Sequence, residues 1–179
     1  SRRQGDAGVG DRSVTRNCGP DLVRVGAGLP VAAYRDEITT ALHGGRAVIV
    51  APPGTGKTTF VPPLVASRCS GRVIVTQPRR VAARAAARRL ATLTGTRPGE
   101  FASHTVHGES TTTRDTKVEF VTTGVLLRRL LSDPDLTGVD AVVLDEVHER
   151  HLDADLVVAM VCEVAQLRDD LTIVAMSAT

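Results

Sequence analysis

Tryptophan is absent from this chain, and one tyrosine and three phenylalanines supply its whole aromatic content, 2% of 179 residues. The core must therefore be filled by Val, Leu, Ile and Ala. Any grip on nucleic acid must come from backbone and Arg contacts, because base-stacking platforms need aromatic side chains. Cysteine is also scarce: Cys18, Cys69 and Cys162 are odd in number, widely separated and without a CxxC spacing. That excludes neither thiol chemistry nor oxidation, but it argues against a zinc site or a disulfide framework and for free thiols in a reducing cytoplasm. No apolar run approaches the roughly 18 residues of a membrane span, and SRRQGDAGVGDRS has no hydrophobic segment to act as a secretion signal. A cytoplasmic protein with no membrane partner is expected. Excess charge of one sign is lacking too, since 22 Lys and Arg face 20 Asp and Glu for a formal net charge of +2. The sum does not mark a polyanion binder, so the distribution of basic residues has to decide.

What is present is enough for one well-buried domain and too little for two of ordinary size. Hydrophobic residues at 42% and charged residues at 23% are ordinary for a globular protein and argue against wholesale disorder. Residues 1–28, rich in Gly, Arg and Asp without apolar periodicity, are expected to form a flexible leader, and the missing initial Met suggests a trimmed or partial product. The globular part is expected over 29–179. After Pro30, Tyr34, Ile38 and Leu42 recur at four-residue intervals and predict one helix, stopped by Gly44 and Gly45.

From there short β-branched runs alternate with helical segments. AVIVA, RVIVTQ, KVEFVTT, AVVLDEV and LTIVAM read as strands, several of them apolar on consecutive residues as in a sheet covered on both faces. ASHTVHGES reads as one further strand. Helices are predicted over 57–67, 79–94, 123–132 and 153–168, with Pro62 and Pro63 making the first of these short or kinked. This alternation implies an α/β fold, a doubly wound and mostly parallel sheet whose ligands sit at the carboxyl ends of the strands.

The run VIVAPPGTGKTTF has P-loop spacing at Ala51, Gly54, Gly56, Lys57 and Thr58, with Ala in place of the first Gly. Ala51 precedes Pro52, which favours an extended conformation with negative φ, so the missing Gly need not be harmful. An apolar strand enters the motif and a helical segment leaves it, which is the context the motif requires. Gly54 and Gly56 let backbone N–H groups turn inward as an anion nest at a helix N-terminus. Pro53, Gly54, Thr55, Gly56, Lys57, Thr58 and Thr59 are accordingly the candidate nucleotide-binding residues, with Lys57 on the β- and γ-phosphates and the Thr58 hydroxyl on Mg²⁺.

A second phosphate-site element follows in AVVLDEVHER, where an apolar strand runs into Asp145 and Glu146. Asp145 is the candidate Mg²⁺ residue, and Glu146 the candidate base that orients and deprotonates the attacking water. The Gly54–Thr58 loop and the Asp145–Glu146 pair are expected at neighbouring strand tips. His148 and His151 superficially suggest a zinc-protease helix, but they are three apart rather than four and follow a strand directly.

With APPGTGKTT and DEVH in place, and with TQPRRVAARAAA, VTTGVLLRRL and SAT in the same order, the chain resembles the DEAH-box branch of superfamily 2 helicases, in its bacterial HrpB type. The resemblance runs from about residue 29 to Thr179. It implies a RecA-like P-loop NTPase domain and assigns Arg79, Arg80, Thr122, Thr123 and Gly124 to a nucleic-acid backbone. His148 would then communicate between ATP and RNA, and Ser177 and Thr179 would couple hydrolysis to strand separation. RNA rests on the resemblance alone, and DNA stays open. Independently, Arg80, Arg84 and Arg88 follow at four-residue steps along one helix face, a local positive stripe suited to phosphate or simply to solvent. Where the HrpB type usually shows Gly-Tyr-x-Val-Arg-Gly-Glu, this chain reads SHTVHGE, with His104 and His107 at the Tyr and Arg positions. Histidine is a weaker, pH-dependent phosphate partner.

The resemblance also implies a second helicase domain, in the same full-length chain or in trans, that supplies arginine fingers. Losing such a finger costs roughly 10³ to 10⁵ in rate. The expectation is therefore an N-terminal motor domain, truncated, that binds Mg-ATP and alone hydrolyses it slowly at best. The alternative is a non-catalytic module that binds nucleotide or RNA.

Overall fold

Seven strands form one sheet: β1 (Arg46–Val50), β2 (Arg72–Gln77), β3 (Ala102–Val106), β4 (Glu109–Ser110), β5 (Val118–Thr122), β6 (Val139–Leu144) and β7 (Thr172–Ser177). The computed structural model describes residues 19–179, so most of the expected leader lies outside the described residues. The strand order is β1-β7-β6-β2-β5-β3-β4, and every pairing is parallel except β3 with β4. Strands that alternate with helices must cross over to stay parallel, and each crossover here carries one or more helical segments or a loop long enough to return. ASHTVHGES, expected as one strand, instead turns at Gly108 into the short antiparallel pair.

Among the described residues the six α-helices are α1 (Leu22–Gly26), α2 (Arg35–Leu42), α3 (Lys57–Ala66), α4 (Arg80–Thr94), α5 (Thr123–Ser132) and α6 (Leu152–Leu167). Because side chains alternate along a strand, the sheet carries two cores. Val73, Val75, Val118, Phe120, Val143, Val174 and Met176 meet α1, α3 and α4 on one face. Ile74, Val121, Val142, Leu144 and Ile173 meet α5 and α6 on the other. Helices on both faces make the fold the doubly wound arrangement that the sequence pattern predicts.

Three local differences have plain causes. α1 falls inside the stretch expected as leader: the Asp21 carboxylate accepts the N–H groups of Val23 and Arg24 at 3.1 Å each, and Leu22 and Val25 are buried. The helix predicted after Pro30 begins as a 3₁₀ turn over Pro30–Tyr34, and α2 takes over at Arg35. α3 is short, ten residues, and runs through Pro62 and Pro63, which leave the Thr58 and Thr59 carbonyls without their helical donors. Cys69 and Cys162 are free thiols. Burial first, and then the nearby Asp140 charge, push the Cys69 thiol up to about 11, which makes it a poor nucleophile and a poor metal ligand.

Candidate functional site

The loop between β1 and α3 carries its two glycines in the left-handed region, Gly54 at φ 78° and Gly56 at φ 90°. An added Cβ at Gly56 would come within 2.9 Å of the Leu29 side chain, whereas at Gly54 it would meet open space. Pro53 and Gly54 are exposed on the outside of the turn. Thr55 closes it, its hydroxyl donating to the Pro52 carbonyl at 2.9 Å while its own carbonyl accepts the Val31 N–H at 3.0 Å. Lys57 is 5% exposed and turns its ammonium back into the loop, donating to the carbonyls of Ala51 and Pro52. Thr58 and Thr59 follow in the first turn of α3.

The loop and Asp145 share the carboxyl rim of the sheet, but their strands are not neighbours. β7 lies between β1 and β6. The first turn of α3 spans that strand, and the Thr58 hydroxyl donates to Oδ2 of Asp145 at 2.5 Å. Strand order is a tertiary property that the periodicity of each run does not encode, which is why the sequence suggested adjacent tips. Two residues that sequence reasoning did not single out complete the support of Asp145: Gln77 Nε2 donates to the same Oδ2 at 2.7 Å, and the Asp145 N–H donates to Thr76 Oγ1 at 3.2 Å. The Glu146 N–H donates to Oδ1 at 2.9 Å. The only sequence signal for Gln77 was a polar amide closing a buried strand after the apolar run Val73–Val75. Thr58 and Asp145 together present hard oxygen donors beside the Gly54–Gly56 turn, a set that fits Mg²⁺ held partly by protein and partly by phosphate.

Glu146 adopts φ 56°, a conformation uncommon for a residue with a Cβ. Its Oε2 lies 3.0 Å from Nε2 of His148. On the other side of the imidazole, Nδ1 accepts the Ala178 N–H at 3.3 Å and faces the Ser177 hydroxyl at 3.4 Å. A backbone N–H only donates, so Nδ1 is the accepting nitrogen of His148, and Nε2 is the one that faces Glu146. The Ser177 hydroxyl also donates to the Thr179 carbonyl at 2.6 Å. His148, Ser177 and Thr179 are thus brought together next to the candidate base.

The candidate nucleic-acid residues occupy the next two tips along the same rim. Arg79 is the residue before α4 and Arg80 its first, both exposed; Thr122 ends β5, and Thr123 and Gly124 open α5. β2 and β5 are paired, Gln77 opposite Thr122, so the two segments are side by side. Of the expected basic stripe, Arg88 is exposed, but Arg84 is engaged: its Nε and a terminal nitrogen donate to Oε2 of Glu109 at 3.0 and 2.5 Å. The buried His104 meets the other oxygen of Glu109 at 2.6 Å. The Arg84 hydrogen bond, then that of His104, hold the Glu109 carboxyl below the usual range. His107 faces a guanidinium nitrogen of Arg128 at 3.2 Å.

This arrangement has counterparts among known proteins. The model of the DEAD/DEAH box helicase family matches residues 34–179. The chain belongs to that family. It is 44% identical over 155 residues to the ATP-dependent RNA helicase HrpB of Escherichia coli, covering 84% of this chain and 19% of that protein. The ATP-dependent RNA helicase HrpA of Borreliella burgdorferi is 36% identical, with the same shares of each chain. The crystal structure of the Escherichia coli DEAH/RHA helicase HrpB superposes with a TM-score of 0.80 at 43% identity, over 84% of this chain and 20% of that one. The fold is that of a RecA-like P-loop NTPase domain, and this member of the helicase family spans about a fifth of the length of these two curated relatives.

Proposed function

We propose that this chain is the ATP-binding motor domain of an ATP-dependent RNA helicase of the HrpB type. It binds Mg-ATP on Pro53–Thr59 and hydrolyses it when paired with a second helicase domain. The observation that carries the reading is the contact between Thr58 and Asp145, which joins the phosphate loop to the acidic strand end across an intervening strand. Gly54 and Gly56 aim backbone N–H groups at the phosphates, Lys57 leaves its loop carbonyls for the β- and γ-oxygens, and Thr58 with Asp145 holds Mg²⁺. When bound, that ion neutralises charge developing between the β- and γ-phosphates.

Glu146 is the base for the attacking water. While His148 holds its carboxylate, the base is engaged. Movement of the Ser177–Thr179 segment alters the other side of the same imidazole, which gives strand binding a route to the chemistry. Arg79, Arg80 and Thr122–Gly124 take the strand's phosphates. RNA as substrate is supported by the names of the relatives, and a cytoplasmic site of action belongs to the same reading. Among the described residues no helix is long and apolar enough to cross a membrane.

The test is ATP hydrolysis with and without single-stranded RNA, for this chain alone and with the second helicase domain of a relative added in trans, and Glu146→Gln as control. RNA-stimulated turnover that requires the added domain and fails in Glu146→Gln supports the reading. Nucleotide binding that never leads to turnover would favour a non-catalytic module instead.

A further inference from the structure

β2 ends in Thr76 and Gln77, each 5% exposed, and both direct polar groups at Asp145. An ionised carboxylate only accepts, so the NH₂ end of the Gln77 amide must face it. Oδ2 thereby receives two donors from different elements, Thr58 of α3 and Gln77 of β2, while Oδ1 receives the Glu146 N–H. The plane of the carboxylate is fixed from both ends. Burying an amide has a desolvation cost that the apolar residues before it on β2, Val73, Ile74 and Val75, do not incur. Packing alone therefore gives no reason for glutamine at the last position.

The place of Gln77 in the chain supplies the reason. Its backbone pairs with Thr122, the first of the Thr122–Gly124 segment, and only Pro78 separates it from Arg79 and Arg80. Proline fixes φ and removes slack from that link. One residue thus touches the metal-site carboxylate with its side chain and carries both candidate strand-binding segments on its backbone.

We propose that Gln77 is a positioning residue that orients Asp145 toward the nucleotide's divalent cation and passes displacement of the Arg79–Arg80 segment to it. The proposal rests on the ATP and RNA sites proposed above. Its coupling is reciprocal: if a bound strand alters how Asp145 is presented, a bound Mg-nucleotide must alter strand affinity by the same factor.

The test compares the unsubstituted chain with Gln77→Leu, which keeps the bulk without the donor, and Gln77→Glu, which replaces the donor with an acceptor. Fluorescent mant-ADP binding is measured in EDTA and across a Mg²⁺ titration, and binding of a labelled oligouridylate with and without Mg-ADP. Both variants are expected to need about tenfold more Mg²⁺ at half-saturation, with mant-ADP affinity in EDTA unchanged. Oligouridylate affinity without nucleotide should also be unchanged, while its ratio with and without Mg-ADP moves toward one. A Mg²⁺ midpoint in Gln77→Leu equal to that of the unsubstituted chain overturns the proposal.

A second measurement does not depend on the variants folding. The side-chain amide signal of Gln77 in a nitrogen-15 spectrum should move when Mg²⁺ is added to the ADP-loaded chain, and a stationary signal overturns the proposal. Failure of the unsubstituted chain to bind mant-ADP in a Mg²⁺-dependent way is a different result, and it removes the nucleotide site itself along with the inference.

Discussion

Glu146 and His148 meet at 3.0 Å through Oε2 and Nε2, and the far nitrogen of the same imidazole is held by the Ala178 N–H. The candidate base therefore starts out engaged, and its release depends on the segment that follows β7. Glu146→Gln should retain Mg-ATP binding and lower turnover by about 10² or more, the usual range for a missing general base. His148→Ala should leave turnover without RNA near or above that of the parent and diminish the stimulation by RNA. Steady-state ATPase assays with the second domain present, over an RNA concentration series, separate the two behaviours.

The buried Glu119 makes the lower pH limit of the fold predictable. Burial alone would raise its carboxyl, but the hydrogen bonds and charge of Arg129, with help from Thr105 and the Arg72 charge, bring it down from 4.5 to about 2. A carboxyl depressed in the folded state contributes stability that is present above its unfolded value and lost as pH falls through the folded one. The shift corresponds to about 3 kcal/mol, lost between pH 4.5 and about 2. Chemical denaturation from pH 7 down through that window should show Glu119→Gln less stable than the parent at pH 7 and flatter with pH as it falls.

The two loop glycines should respond differently to a methyl group. Both Gly54→Ala and Gly56→Ala place a Cβ at positive φ, a strain of roughly 1–2 kcal/mol. Only at Gly56 does the added carbon also press on Leu29, at 2.9 Å. Gly56→Ala is expected to be the more destabilised by thermal denaturation, and the two midpoints measured in EDTA without nucleotide check the order.

Basic residues on α4 should not contribute equally to strand binding. Arg79 and Arg80 are exposed at the rim, whereas the guanidinium of Arg84 is bonded to Glu109. Arg80→Ala should weaken binding of single-stranded RNA and reduce the slope of log affinity against log salt by about 0.7. Arg84→Ala should change the slope little. Fluorescence anisotropy at several salt concentrations measures both.

Much of this site was legible before the structure because its signals are local. An apolar strand, a Gly-rich turn and a helix in sequence read as a phosphate loop, and an apolar strand ending in two acids read as its partner. What stayed hidden depends on contacts between distant segments. α1 has five residues, too few to be stable alone, and exists through its Asp21 cap and the burial of Leu22 and Val25. Gln77 is an unremarkable strand residue until β6 lies beside β2 and brings Asp145 to its amide. Arg84 looks like a free cation on a helix face until the turn at Gly108 places Glu109 against it. Likewise the intervention of β7 between β1 and β6 follows from how the crossovers pack, and no single run of residues carries it.

Calorimetric titration of ATP into this chain, with Mg²⁺ and then with EDTA, tests most directly whether the loop and Asp145 act on one ligand. The account predicts that Lys57→Ala loses affinity in both conditions by tenfold or more, and that Asp145→Asn loses it only where Mg²⁺ is present. Equal Mg-ATP affinity in the parent and both variants would contradict it.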